Sequence, residues 1–462
     1  MSELPSDGEL LESAMERTSG VQAVGGNRVR LLVDGPAAYP AMMDVIENAR
    51  HRIRFENYII NSDATGQRFA DALIARARAG VEVTVLADWI GTWNTRRSYW
   101  RQLRDAGISV RRFHPPNPLR LFDNLSRDHR KVVVADGARA VIGGLCIGNE
   151  WSGDPARDQL PWRDTAVLVE GPGAALMENA FADTWHEAGG ECSAPVAVDE
   201  SGPGTTAVRV LRGLPGRERT VRVLALLATV CRERLWITDA YMLPPRRLLQ
   251  PLLDAARAGV DIRLLVPGTS DLPWIRNLSR IGYRTMLRAG IRIYEWDGPM
   301  LHAKTLVADA RWCRVGSSNL NPSSLLGNYE LDVMADDRAL AAELEAQFRL
   351  DLGQSREVVR LPGRGPQEFQ ALMPGRLLRE APEKATGVHR RSRGEGRRRA
   401  VLTLQSIAGG ARRSIYGPLA LGLVGLGALF WALPRISATV AAVLCAWLAI
   451  AALLEALGRR RG

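Results

Sequence analysis

His129-Arg130-Lys131-Val132-Val133-Val134-Ala135-Asp136 and His302-Ala303-Lys304-Thr305-Leu306-Val307-Ala308-Asp309 are two copies of one pattern, His-x-Lys-x4-Asp. In an extended strand successive side chains alternate faces, so the His and Lys of each copy are expected to look toward one pocket. The Val-Val-Val and Leu-Val-Ala runs that follow suit a buried central strand. One copy of so loose a pattern carries little weight. Yet the chain has only three lysines among its 61 basic residues, and two of them are Lys131 and Lys304.

The surroundings of the two motifs repeat as well. Arg52 to Ile60 reads as a strand, Gln67 to Arg78 as a helix, and Val81 to Ala87 as a second strand after Gly80. The order returns as a strand at Arg234 to Leu243, a helix at Arg247 to Arg257 and a strand at Val260 to Val266, and Ala-Arg-Ala-Gly-Val at 77–81 recurs at 256–260. Each half then supplies a further helix and short strand, Tyr99 to Phe113 and Trp274 to Tyr294, before its histidine. This is an internal duplication of roughly 170 to 180 residues, too long for a solenoid repeat and long enough for two similar domains. Alternating strands and helices predict an α/β fold, two mixed sheets with helices on both faces. The expected boundaries are an acidic segment over 1–26, a first domain over 27–190, a linker rich in Gly, Ser and Pro over 191–205, and a second domain over 206–373.

Composition separates the C-terminal part from the rest. The formal charge of +11 raises nucleic acid or anionic lipid as partners. Residues 374–462, however, hold fifteen Arg or Lys against four Asp or Glu, which leaves residues 1–373 near neutral. The arginine run from His389 to Arg399 predicts a disordered basic linker over 374–414. Ile415 to Leu433 and Ala438 to Leu457 are apolar stretches, each able to span about 30 Å as a helix, so 415–457 is expected to form a transmembrane hairpin with a basic end over 458–462. Arginines before and after the pair place both ends in the cytoplasm by the positive-inside rule. Five scattered cysteines suggest neither disulfides nor a zinc site, and the acidic N-terminus does not read as a signal peptide.

The paired motifs carry phosphodiester chemistry. One neutral imidazole attacks phosphorus, the other donates a proton to the leaving oxygen, and two ammonium groups hold the phosphoryl oxygens. This scheme requires no metal and no other cofactor. Downstream, Ser317 and Asn319 of Gly316-Ser317-Ser318-Asn319 share strand parity and suit a phosphate-binding or lysine-orienting role. At the same distance the first half has Gly143-Gly144-Leu145-Cys146, with cysteine in the asparagine position and Asn149 as the nearest candidate to compensate. Asp164 and Glu330 occupy matching later positions, where a carboxylate on the far nitrogen of each histidine would fix its tautomer.

With both motifs, the Gly-Ser-Ser-Asn segment, Glu56-Asn57-Tyr58 and Trp162-Arg163-Asp164, the chain resembles the phospholipase D superfamily, and within it the bacterial cardiolipin synthases, from about residue 27 to 373. The resemblance implies a pseudo-twofold, bilobed catalytic unit of two α/β/α lobes with the active site between them, and a covalent phosphatidyl-histidine intermediate. It implies His129, Lys131, Asp136, His302, Lys304 and Asp309 as the catalytic set, with His129 the nucleophile and His302 the acid/base. The expected partners are phospholipids, phosphatidylglycerol foremost, and an anionic membrane surface, with the lobes on the cytoplasmic side of a bacterial inner membrane. Trp93, Trp100, Phe113, Leu119, Leu121, Phe122, Trp274 and Ile275 fall where the family places substrate-entry loops. A hydrolytic phospholipase D would use the same residues. A nuclease of this fold is disfavoured, because residues 1–373 carry no net basic charge for nucleic acid. Acceptor identity and oligomeric state are not set by these features.

Overall fold

The computed structural model describes residues 7–116, 126–154, 157–191, 195–199, 201–360 and 369–372. Its first half runs α1 (Asp7–Ser19), β1 (Val24–Val33), α2 (Asp34–Glu47), β2 (Arg52–Asn57), α3 (Ala64–Arg78), β3 (Glu82–Asp88), α4 (Arg97–Asp105), β4 (Ser109–Phe113), β5 (Lys131–Ala135), β6 (Arg139–Gly143), α5 (Asn149–Ser152), β7 (Thr165–Glu170) and α6 (Pro172–Glu187). The second half runs β8 (Thr206–Gly213), α7 (Arg219–Val230), β9 (Arg234–Thr238), α8 (Arg246–Arg257), β10 (Asp261–Pro267), α9 (Pro273–Arg288), β11 (Arg292–Trp296), β12 (Thr305–Ala308), β13 (Trp312–Gly316), β14 (Glu330–Asp336), α10 (Arg338–Gly353), β15 (Ser355–Arg360) and β16 (Phe369–Leu372).

The sixteen described strands join one sheet, not the two separate sheets expected, because β1 and β8 pair across the halves; the order is β16-β15-β11-β10-β9-β12-β13-β14-β8-β1-β7-β6-β5-β2-β3-β4. Outward from the central antiparallel pair of β1 and β8 the two directions mirror each other: β7-β6-β5-β2-β3-β4 on one side, β14-β13-β12-β9-β10-β11 on the other. β2, β3 and β4 are parallel, as are β9, β10 and β11. The histidine-motif strands β5 and β12 run antiparallel to their neighbours. The duplication seen in the sequence is thus a pseudo-twofold repeat of strand order.

Side-chain alternation along the motif strands decides what each half packs against. Val133 and Ala135 of β5 face the apolar cluster under α2, α3 and α4, while Val132 and Val134 face a second cluster built with α6 and α10. Likewise Leu306 and Ala308 of β12 face the core under α7, α8 and α9, and Val307 turns to the cluster that holds Val132 and Val134. Both faces of each motif strand are therefore dry, which suits β-branched and apolar runs. The helix starts are capped in sequence-legible ways: Asp63 accepts from the Gly66 N–H at 2.9 Å ahead of α3, and Asp337 accepts from Ala339 and Leu340 ahead of α10.

The aspartates that close the two motifs stand at the far strand ends. Asp136 lies about 17 Å along the strand from Lys131 at roughly 3.3 Å per residue, in a left-handed turn with φ 56°. Its carboxylate accepts the N–H groups of Arg50, His51 and Arg52, each at 2.8 Å. Asp309, φ 49°, does the same for Arg232, Glu233 and Arg234 at 2.9, 2.8 and 3.0 Å. The expectation that Asp136 and Asp309 join the reacting groups is corrected here: both pin the segment that leads into the neighbouring strand. Against the opposing effect of partial burial, these N–H donors, joined at Asp309 by the Cys231 thiol at 3.0 Å, hold both carboxyls below their ordinary range.

Two of the expected entry-loop residues are core. Trp100 packs with Tyr99 under α3, and Phe113 is fully buried beside Phe181. Leu119, Leu121, Phe122 and the side chain of Trp274 lie outside the described residues, as do the basic linker and the apolar pair over 374–462. Among the described residues no helix is long and apolar enough to cross a membrane.

Because each aspartate accepts three backbone N–H groups through a charged carboxylate, Asp136→Ala and Asp309→Ala are each expected to lower unfolding stability by about 1–3 kcal/mol. Denaturant unfolding measures this. Turnover per folded molecule should stay within a few-fold of the parent, which a reacting carboxylate would not allow.

Candidate active site

The segments around the two histidines are zipped to the opposite half. The His129 N–H donates to the Tyr329 carbonyl at 2.9 Å, and the Tyr329 N–H donates to the Arg127 carbonyl. In the symmetric place the His302 N–H donates to the Arg163 carbonyl at 2.7 Å and the Arg163 N–H to the Met300 carbonyl. The residue after each of these partners is the acidic one. Glu330 therefore reaches His129, with Nδ1 3.1 Å from both carboxylate oxygens, and Asp164 reaches His302, with Nδ1 2.8 Å from Oδ2. Both carboxylates are buried. Holding Nδ1 in this way leaves Nε2 of each ring as the nitrogen available for chemistry.

Each carboxylate is oriented in turn. Ser317 donates to Glu330 at 2.5 Å and Ser324 donates to its other oxygen. The Trp151 indole N–H donates to Asp164 at 3.0 Å, and the Thr165 N–H donates to it at 2.7 Å. Trp151 and Ser324 each stand five residues after the Cys146 or Asn319 position, so the repeat carried a signal for this pair of donors that the motif reading passed over. Arg163, whose guanidinium binds Asp351 and the Asp164 carbonyl, fixes the crossing strand from below.

The lysines lie beneath the histidines rather than on the open cavity wall. Lys131 donates to the His129 carbonyl at 2.5 Å with its ammonium 5.2 Å from the Tyr58 ring centre. Lys304 donates to the His302 carbonyl, 5.9 Å from the Tyr241 ring. Tyr58 and Tyr241 also flank the imidazoles, at 4.8 and 6.2 Å between ring centres. Trp151 and Trp162 frame His302 at 5.6 and 5.9 Å.

Both histidines open on a cavity of about 530 Å³ lined from both halves, with Cys146, Asn319, Tyr58, Tyr241, Trp151 and Trp162 in its wall. The Asn319 side-chain amide oxygen, Oδ1, is buried without a hydrogen-bond partner. The other expected residues sit elsewhere. Asn149 accepts from the Thr65 N–H and hydroxyl at the start of α3, so it does not replace the missing asparagine in the cavity. Glu56 is fully buried and accepts from the Thr184 hydroxyl at 2.5 Å, with Arg130 4.0 Å away, in a network below the site.

Burial and like charges disfavour the charged form of both rings in the free site. Burial, and then Lys304, push His302 below its ordinary value to about 4, against the pull of Asp164. Burial pushes His129 the same way, against Glu330 and with Lys131. Burial also draws Lys304 down to about 8, against Asp164, with Lys131 adding repulsion. A bound phosphodiester anion would oppose all three shifts.

The site as a whole, two imidazoles contributed by two repeats and paired crosswise with carboxylates above two lysines, is that of a phospholipase D-type enzyme. The family described as "Cardiolipin synthase, PLD-like domain" matches residues 42–150 and 226–352, one span in each half. Cardiolipin synthase A of Pseudomonas entomophila (strain L48) is 31% identical over 371 residues, covering 79% of this chain and 77% of the relative. Cardiolipin synthase A of Pseudomonas aeruginosa (strain LESB58) is 32% identical over 362 residues, covering 78% and 74%. Among solved structures, phosphatidylserine synthase from Haemophilus influenzae Rd KW20 has a TM-score of 0.60 at 16% identity, covering 79% of this chain and 92% of that one. Polyphosphate kinase from Porphyromonas gingivalis has a TM-score of 0.50 at 16% identity, covering 78% and 52%. These two share the fold. The chain belongs to the cardiolipin synthase family of the phospholipase D superfamily and is an enzyme of that kind.

Two measurements check the crossed pairs. Glu330→Gln and Asp164→Asn should each lower turnover by about 10²- to 10⁴-fold, because the amide holds the wrong tautomer, and joining Asp164→Asn to His302→Ala should add little further loss. The second concerns stability. A histidine whose folded value lies below its unfolded value contributes stability above the unfolded value, near pH 6.5, and that stability is lost as pH falls toward the folded one. The unfolding midpoint should thus decline from about pH 6.5 toward pH 4 and His302→Gln should flatten that decline.

Proposed function

We propose that the protein makes cardiolipin from two molecules of phosphatidylglycerol through a phosphohistidine. The observation that carries this reading is the pair of cavity-facing imidazoles, each with Nδ1 held by a carboxylate from the other half. In the first step His302, which takes up a proton at Nε2 from water as the anionic substrate binds, gives that proton to the glycerol headgroup oxygen as its bond to phosphorus breaks and Nε2 of His129 forms a bond to phosphorus. In the second step His302 takes the proton from the terminal hydroxyl of a second phosphatidylglycerol, whose oxygen displaces the histidine from phosphorus. Asn319 supplies an amide in the cavity wall for the phosphoryl oxygens, and Lys131 and Lys304, beneath the rings, supply positive potential to the same place; the steps of proton and phosphoryl transfer need no further reagent.

The contrast between the two ring environments supports this division of roles. Ser317, Ser324 and Asn319 surround the Glu330–His129 side, whereas indoles and Cys146 surround His302. An apolar cage disfavours the imidazolium and makes it a strong proton donor once formed. The basic linker over 374–414 and the apolar pair over 415–457 complete the reading: they hold the lobes at the cytoplasmic face of a bacterial inner membrane, where the acceptor lipid is concentrated and transfer outruns hydrolysis.

Purified full-length enzyme given phosphatidylglycerol in vesicles should release glycerol and form cardiolipin. Phosphatidic acid without cardiolipin would overturn the transferase reading in favour of a hydrolase. His129→Ala and His302→Ala should each abolish product while unfolding behaviour is preserved. Rapid acid-free quenching of His302→Ala with labelled substrate should place label on His129, and label on His302 of the parent with none on His129 would reverse the roles.

A further inference from the structure

Three of the eight large apolar side chains that are exposed among the described residues, Ile90, Trp93 and Leu278, line the catalytic cavity, and a fourth, Ile281, follows Leu278 by one turn of α9. Ile90 and Trp93, in the turn after β3, are 45% and 70% exposed; Leu278 and Ile281, one turn apart on α9, are 40% and 75% exposed. Ile90, Trp93 and Leu278 also line the cavity, so the exposed surface is continuous with the wall that faces the histidines. The two pairs come from opposite halves of the repeat. Beside Trp93, at the start of α4, Arg96 and Arg97 are exposed and form no ion pair with a described carboxylate. A soluble surface gains nothing from this arrangement, since exposed apolar groups gathered around one opening mark an interaction face.

We infer that Ile90, Trp93, Leu278 and Ile281 form a two-sided lip that rests in the surface of an anionic phospholipid leaflet, with Arg96 and Arg97 on the headgroup phosphates, and that lipid enters the cavity between them. The inference rests on the lipid reading of the site and names how that site meets its substrate. Tryptophan with adjacent arginine suits the boundary between headgroups and acyl chains, and both halves must touch the leaflet for the opening to face it. The lip acts apart from any anchor further along the chain, because it sets the orientation of the mouth, whereas an anchor sets only proximity.

The test uses the full-length enzyme in vesicles of phosphatidylglycerol and phosphatidylcholine. Brominated acyl chains should quench tryptophan emission, and Trp93→Phe should remove part of that quenching; equal quenching in parent and variant overturns the lip. Ile281→Asp, and separately the double change Arg96→Glu with Arg97→Glu, should cut turnover of vesicle lipid by about tenfold while turnover of monomeric short-chain phosphatidylglycerol stays within about twofold of the parent. Equal loss on both substrates, or loss on neither, overturns the inference. If the parent turns over neither lipid, the proposed reaction fails, and the quenching comparison still decides the lip.

Discussion

The crossed pairing of each histidine with a carboxylate from the other half is the interaction on which the rest depends. It is not a side-chain contact alone. In each pair the backbone that carries the acid, from one half, is bonded to the backbone that carries the histidine, from the other, so ring and carboxylate arrive together when the halves meet. Neither half can assemble a working imidazole by itself. The requirement explains why the sheet is continuous through β1 and β8 and why the cluster around α6 and α10 is shared, since a small shift between the halves would break both pairs at once.

Burial of this set would be costly without balance. Two lysines and two carboxylates lie in a space from which water is largely excluded, and charges there are tolerated only when paired and hydrogen-bonded. The rings bridge the difference by remaining neutral. Two ammonium groups offset two carboxylates, and the added anion of a substrate then finds a site poised to accept one proton. Each lysine spends one donor on its own histidine carbonyl and rests against a tyrosine face, which holds the ammonium without neutralising it.

The duplication, the strand order near each motif and the identity of the His, Lys and carboxylate residues were legible because they are written in local pattern. Strand parity was a weaker guide. His129 and His302 precede β5 and β12 instead of lying in them, so parity groups each His with its Lys, yet of the pair expected to face the pocket the histidine lines the cavity and the lysine stops beneath it. The aspartates were misread because a motif records which residues recur, not which end of the strand they serve; Asp136 and Asp309 recur for backbone reasons. Asn149 looked like a substitute for a missing asparagine by spacing, yet the same spacing also fits a residue that holds the start of α3. The crossing of Asp164 and Glu330 to the opposite histidine could not be read from one half at a time, because the acids lie 138 and 201 residues from their partners, in the other half.

The places where the halves differ fit together as a size exchange. Asp164 is one methylene shorter than Glu330, so its carboxylate sits closer to its own backbone, against Gly144 just past β6. A Cβ on Gly144 would come within 2.1 Å of an Asp164 oxygen, so the serine that serves Glu330 from position 317 has no counterpart there. The missing hydroxyl is replaced by the longer reach of the Trp151 indole, in the position that Ser324 fills in the second half. Trp151 then brings its ring against His302, and the space beside it is left to an apolar, buried Cys146 in place of the amide at Asn319. Shortening one carboxylate by a carbon thus accounts for the glycine, permits the indole and makes a polar neighbour at Cys146 less useful, and the two half-sites become chemically unequal while their backbones remain alike.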